Sequence, residues 1–96
     1  MEGHSLVSPE VVARYARDAA VGVTGVAGVV DGVRKGVRVE GDAIELHLAV
    51  DWGTSIPELG ATVQRQVADY LARMTNVRPD AVNIVVEEVR DHSGGA

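Results

Sequence analysis

Between the turn residues Glu40-Gly41-Asp42 and the dipeptide Trp52-Gly53, side chains alternate without interruption. Ile44, Leu46, Leu48 and Val50 are apolar, and Glu45, His47, Ala49 and Asp51 between them are polar or small. A period of two is that of a pleated strand, so the four apolar side chains share one face. That face needs a cover, and a chain of 96 residues has few elements to supply one. A domain of this length buries roughly 60–65% of its unfolded surface, enough for one modest core.

Two segments carry the pattern of a covering helix. In the first, Ser8-Pro9 reads as an N-cap followed by proline in the first turn. Val12, Tyr15, Ala16, Ala19 and Val23 then recur at helical spacing, while Glu10, Arg14 and Asp18 alternate in sign on another face, predicting a helix over about 9–21. In the second, Ser55-Ile56-Pro57-Glu58 matches a capping box. Ile56, Leu59, Val63, Val67, Tyr70, Leu71 and Met74 form one stripe over about 56–75. Asn76 suits the left-handed position that ends a helix, and Pro79 blocks continuation. Gly60 lies on the stripe, where glycine costs about 1 kcal/mol relative to alanine, which suggests a close approach by a neighbouring element.

Strands account for the rest. Val37 and Val39 begin a hairpin that turns at Glu40-Gly41-Asp42. Val82, Ile84 and Val86 alternate with Asn83, Val85 and Glu87 in a last strand, about 81–89. Residues 22–36 hold Gly22, Gly25, Gly28, Gly32 and Gly36 among valines and read as an irregular connection with short extended pieces. A further short extended segment is expected at Ser5 to Val7. The predicted order is (β)αββαβ: an α+β, two-layer sandwich with both helices on one face of a three- to four-stranded sheet. Residues 5–90 are expected to form one domain and 91–96 a flexible tail. Nineteen valines and no phenylalanine agree with a sheet-rich core.

Composition narrows function. There is no cysteine, so thiolate chemistry, disulfides and Cys-ligated zinc are excluded. No apolar run approaches the ~20 residues of a bilayer span, and no signal peptide opens the chain, so a cytoplasmic location is expected. The formal net charge of −5 disfavours nucleic acid and anionic lipid; the densest basic cluster is Arg34-Lys35, with Arg38 nearby.

Four local features invite a chemical reading. The glycines at 22, 25 and 28 follow a helix, whereas a phosphate cradle needs them between a strand and a helix N-terminus. Gly25-Val26-Ala27-Gly28 fits the G-x-x-G of a KH-like nucleic-acid module, yet it lacks a basic residue and does not join two helices. Glu45, His47 and Asp51 share a strand face, with Glu87 a further candidate. Such a set suits a metal, acid–base work or simply a solvated surface. Trp52 either closes the end of the core or stands exposed as a contact residue. No nucleophile with a partner base and no cofactor fingerprint is present, so neither catalysis nor a cofactor is expected.

Taken in order, several segments resemble the bacterial alkaline shock protein family of envelope stress response proteins. They are Ser8-Pro9-Glu10-Val11-Val12, Gly25-Val26-Ala27-Gly28-Val29, Ile44-Glu45-Leu46-His47-Leu48-Ala49-Val50 and Trp52-Gly53-Thr54-Ser55-Ile56-Pro57-Glu58. Val63-Gln64-Arg65-Gln66-Val67 and Val82-Asn83-Ile84-Val85-Val86 complete the pattern, which spans roughly 5–90. Trp52 stands where a Tyr is usual and Asn76 where a Gly is usual. The resemblance implies a non-enzymatic, cytoplasmic protein that self-associates and is held near the membrane by a small membrane-anchored protein. It transfers no catalytic, cofactor or metal residues.

The function expected is therefore an envelope stress response scaffold, a homo-oligomer that docks on a protein partner without inserting into the membrane. Trp52, Gly53, His47 and Glu45 are the candidate protein-contact residues. Self-association is expected through the uncovered sheet face, where Ala43, Ala49 and Val85 sit among Glu45, His47 and Asn83. The alternatives are a small nucleic-acid-binding, KH-like module or a small metal- or ligand-binding protein.

Overall fold

The computed structural model describes residues 7–91. The element order is α1 (Pro9–Val21), β1 (Val26–Val29), β2 (Val37–Glu40), β3 (Ala43–Asp51), α2 (Ile56–Thr75) and β4 (Ala81–Arg90). Both helices cover one face of a four-stranded sheet, the α+β two-layer arrangement expected.

β3 is the centre of the sheet. β4 runs parallel to it along its whole length, from Ala43↔Ala81 to Asp51↔Arg90. β1 and β2 are both antiparallel to β3, β1 against Leu48–Val50 and β2 against Ala43–Leu46, so they follow one another along the opposite edge. The backbone of His47 shows how they join. Its carbonyl accepts from Val30 N–H and its N–H donates to the Gly36 carbonyl, both at 2.8 Å. Residues 31–35 are therefore an excursion from what is otherwise one edge strand.

This locates the fourth strand after α1, inside the glycine-rich segment. Of the extended segment expected in front of α1, Ser5 and Leu6 lie outside the described residues and Val7 is not in a strand. The expected tail likewise lies outside them from residue 92 onward.

The core is the prediction of the alternation made concrete. Ile44, Leu46, Leu48 and Val50 are buried against Val12, Ala16 and Ala20 of α1 and Leu59, Val63, Val67 and Leu71 of α2. Val82, Ile84 and Val86 extend the same face on β4. Tyr15 and Tyr70 meet edge-to-face, ring centroids 5.7 Å apart, and tie the helices together.

The helix ends follow the chemistry of their residues, with one exception. The Ser8 hydroxyl accepts from Val11 N–H at 3.2 Å, and Asn76 takes the left-handed conformation at φ 63°, its N–H donating to the Ala72 carbonyl. Ser55, by contrast, makes no side-chain cap bond, so the capping box read at 55–58 does not close; only its carbonyl accepts, from Leu59 N–H at 2.9 Å. Gly60 also departs from expectation. A Cβ there meets nothing within 4 Å, so no neighbour approaches it closely. The close approach is at Gly36 instead, where a Cβ would run into Val29 Cγ1 and lie 2.5 Å from the Val30 carbonyl oxygen.

Candidate functional site

The end of the sheet that carries Trp52 is shaped by backbone bonds. Asp51 N–H donates to the Gly25 carbonyl and Trp52 N–H to the Arg90 carbonyl, each at 2.8 Å, which closes the last rung on both sides of β3. The chain then turns through Gly53 at φ 88°, a conformation costly for any residue with a Cβ. Thr54 N–H donates back to the Asp51 carbonyl at 3.2 Å.

The turn leaves Trp52 outside the core. It is 73% exposed, and Ile56 at 44% and Val89 at 47% are exposed on the elements that flank it. Of the two readings of Trp52, the structure selects exposure. Gly53 beside it is exposed as well.

The second candidate group lies on the sheet face away from the helices. His47 Nε2 is 2.5 Å from Glu45 Oε2, and Nδ1 is 2.5 Å from Glu87 Oε2. Glu87 follows Val85, the β4 partner of His47, by two residues and so shares its face; the β3–β4 register slips by one residue just there, after Leu48. Arg38 extends the network, 2.6 Å from Glu40 and 3.9 Å from Glu45.

Hydrogen bonding to Glu87, then to Glu45, raises the His47 pKa above its usual value against a smaller opposing effect of burial. The bond to His47 lowers that of Glu45. Both ring nitrogens are thus engaged by carboxylates. Among the described residues no group of three or more His, Asp or Glu side chains has the geometry to hold a metal ion.

The uncovered face differs from the one anticipated for stacking. Ala49 is fully buried, and Gly28 lies under the Arg90 guanidinium, which meets a Cβ placed there at 3.6 Å. Arg90 in turn pairs with Glu88 at 2.9 Å. Ion pairs cross this face, and of the residues expected there Val85, 38% exposed, is the large apolar side chain in solvent.

The G-x-x-G segment is used structurally. Gly25 turns the chain at φ 103°, and Val26–Val29 are paired in the sheet. No loop remains there to clamp a nucleic-acid backbone or a phosphate.

One feature lay beyond sequence reasoning. The excursion at 31–35 is latched by Asp31, which accepts from Arg17 Nη2 at 2.8 Å and Nη1 at 3.1 Å and from Gly36 N–H at 2.8 Å. These bonds, the Arg17 pair foremost, lower the Asp31 pKa to about 2. The Asp-Gly pair and the later Gly36 mark a turn in sequence, but the partner Arg17 is fourteen residues away.

These features define a mixed-sheet αβββαβ domain whose helix-covered face is core, whose other face is a closed polar network, and whose sheet ends in an exposed tryptophan. The chain belongs to the alkaline shock protein 23 family, of cell envelope-related function, whose model matches residues 1–91. "Uncharacterized protein YqhY" of Bacillus subtilis (strain 168) is 32% identical over 95 residues, a match covering 81% of this chain and 70% of that protein. Among solved structures, a variant of the MamM CTD superposes with a TM-score of 0.52 at 23% identity, covering 84% of this chain and 96% of that one. The cadmium form of another MamM CTD variant gives the same TM-score at 22% identity, with 84% and 98% covered. These likenesses are of fold.

Proposed function

We propose that this chain is a non-catalytic scaffold of the envelope stress response, which self-associates and docks on a membrane-anchored protein through the Trp52 end of its sheet. The observation that carries this is the exposure of Trp52 on a turn fixed by backbone bonds. A tryptophan side chain has only two rotatable bonds, so it offers a large contact area at low entropic cost, and it is among the residue types most enriched at interface hot spots. Gly53 gives the turn its shape, and Ile56 and Val89 enlarge the apolar surface.

The route to the membrane is indirect on this reading. No helix among the described residues is long and apolar enough to cross a bilayer. The apolar stripes of α1 and α2 are spent on the sheet apart from Ile56 and Met74 at opposite ends of α2, which leaves neither helix a continuous apolar face for a lipid interface. His47 and Glu45 take a supporting place. His47 bonds Glu45 on its own strand and Glu87 on β4, which links the two strands across the polar face. Self-association is assigned to the outer edge of β4, ten residues long, rather than to face-to-face stacking.

The test is fractionation of cells that express the protein with and without Trp52→Ala. The wild type is expected with membranes and the variant in the soluble fraction, with melting temperatures within about 2 °C, as for a surface change. Purified protein is expected to ignore phospholipid vesicles. A variant that stays with membranes sinks the assignment of Trp52, and direct vesicle binding sinks the indirect route.

A further inference from the structure

A groove of about 770 Å³ separates α1 from the 31–35 excursion. Its lining gathers Arg14, Arg17, Arg34 and Lys35, four of the nine basic residues of a chain with net charge −5, against only Glu10 and Asp31 as acids. Arg17 and Asp31 are bonded to each other, so they form a fixed wall. Arg14, Arg34 and Lys35 are exposed and supply the field. Ala13, Val37 and Val39 give the groove an apolar side. Val33, at the tip of the excursion, is fully exposed between these charges.

The groove also adjoins a strand edge. Gly36 bonds His47 across the sheet, and hydrogen-bonded residues alternate along an antiparallel pair. Arg38 and Glu40 therefore direct their backbone groups to β3, and Val37 and Val39 direct theirs outward, on the side where they line the groove.

We propose that this groove binds an extended acidic peptide segment of a partner protein, laid along the outer edge of β2, with one of its apolar side chains against Val33. Three features select that occupant. The local charge is positive on an acidic protein, which favours carboxylates. The outward backbone groups of β2 suit an added strand. The site is concave, which suits a chain segment better than the flat surface of an anionic bilayer. The inference shares with the proposed function the premise that the chain works through protein contacts, but it uses a surface at the other end of β3 from Trp52.

A fluorescent octapeptide alternating Glu and Val tests it against the full chain, with a Lys/Val peptide and phosphatidylserine-containing vesicles as parallel probes. The Glu/Val peptide is expected to bind, more weakly as salt rises. R34E combined with K35E is expected to weaken it roughly tenfold, the effect of reversing two solvent-exposed charges. Val33→Ser is expected to weaken it while leaving the melting temperature unchanged, since Val33 packs on nothing. Trp52→Ala is expected to leave peptide binding intact, which separates this site from the one proposed above. Equal binding of the Lys/Val peptide, indifference to R34E with K35E, or binding of vesicles but not peptide through Arg34 and Lys35 would each overturn the proposal.

Discussion

Replacing Gly60 by alanine is expected to stabilise the protein. Gly60 is the fifth residue of α2, inside the helix, and its φ is not in the left-handed region. Glycine in a helix interior costs about 0.5–1 kcal/mol relative to alanine, because it has more backbone freedom to lose on folding. Whether the gain is realised depends on what the new methyl group meets. At Gly60 a Cβ has nothing within 4 Å, so no packing cost offsets it. For a domain of 60–100 residues, 1 kcal/mol moves the melting temperature by about 4–8 °C, so Gly60→Ala is expected to raise it by roughly 2–8 °C. Thermal unfolding followed by circular dichroism, with urea unfolding as a second measure, reads the change. A variant that melts at or below the wild-type temperature refutes the reasoning and restores the close approach that the sequence suggested.

Gly36→Ala is expected to act in the opposite sense. Its Cβ falls 2.5 Å from the Val30 carbonyl oxygen, a backbone atom that cannot turn aside, so a loss of roughly 1–3 kcal/mol is expected by urea unfolding. Stability is expected to depend on pH through His47. Its pKa is raised in the folded state, so its contribution is complete below the unfolded value of about 6.5 and is lost as pH rises through the folded value. The wild-type melting temperature is therefore expected to fall more steeply than that of His47→Gln from neutral to mildly alkaline pH; parallel curves would refute the bridge to Glu45 and Glu87. Asp31 acts on the other side. Its folded pKa is lowered to about 2, so its contribution is present above the unfolded value and is lost as pH falls toward 2. Asp31→Asn is expected to flatten that acid limb and to increase hydrogen exchange at Gly36.

The helices were legible because their signals are local. Ser8-Pro9 and Asn76 mark ends that the structure reproduces, and of the two stripes Val12, Ala16, Leu59, Val63, Val67 and Leu71 are buried, while Ile56 and Met74 at the two ends of the second are exposed. β3 was legible for the same reason. β1 was not, because its glycine-rich sequence has no strand pattern and its pairing partner, Leu48–Val50, is some twenty residues distant. Ser55 misled because a capping sequence does not oblige the hydroxyl to turn inward when Pro57 and the backbone already fix the first turn. The His47 network was largely legible. Alternation places Glu45 beside His47 and Glu87 on the matching face of the last strand, but the parallel pairing of β3 with β4 that brings Glu87 to His47 is a long-range contact that alternation does not reveal. Charge was the least legible property. Arg14 and Arg17 stand far from Arg34 and Lys35 in sequence, and only the packing of α1 beside the 31–35 excursion makes them one patch.

The contact assigned to Trp52 is best measured at that side chain. As the single tryptophan, it gives one fluorine resonance when the protein is grown with 5-fluorotryptophan. The labelled protein would be titrated with a detergent-solubilised membrane fraction of its own cells, and separately with the same detergent and phospholipid alone. A shifted or broadened signal is expected in the first titration and an unchanged one in the second. A signal indifferent to the membrane fraction, while the protein itself is retained by that fraction, would contradict it.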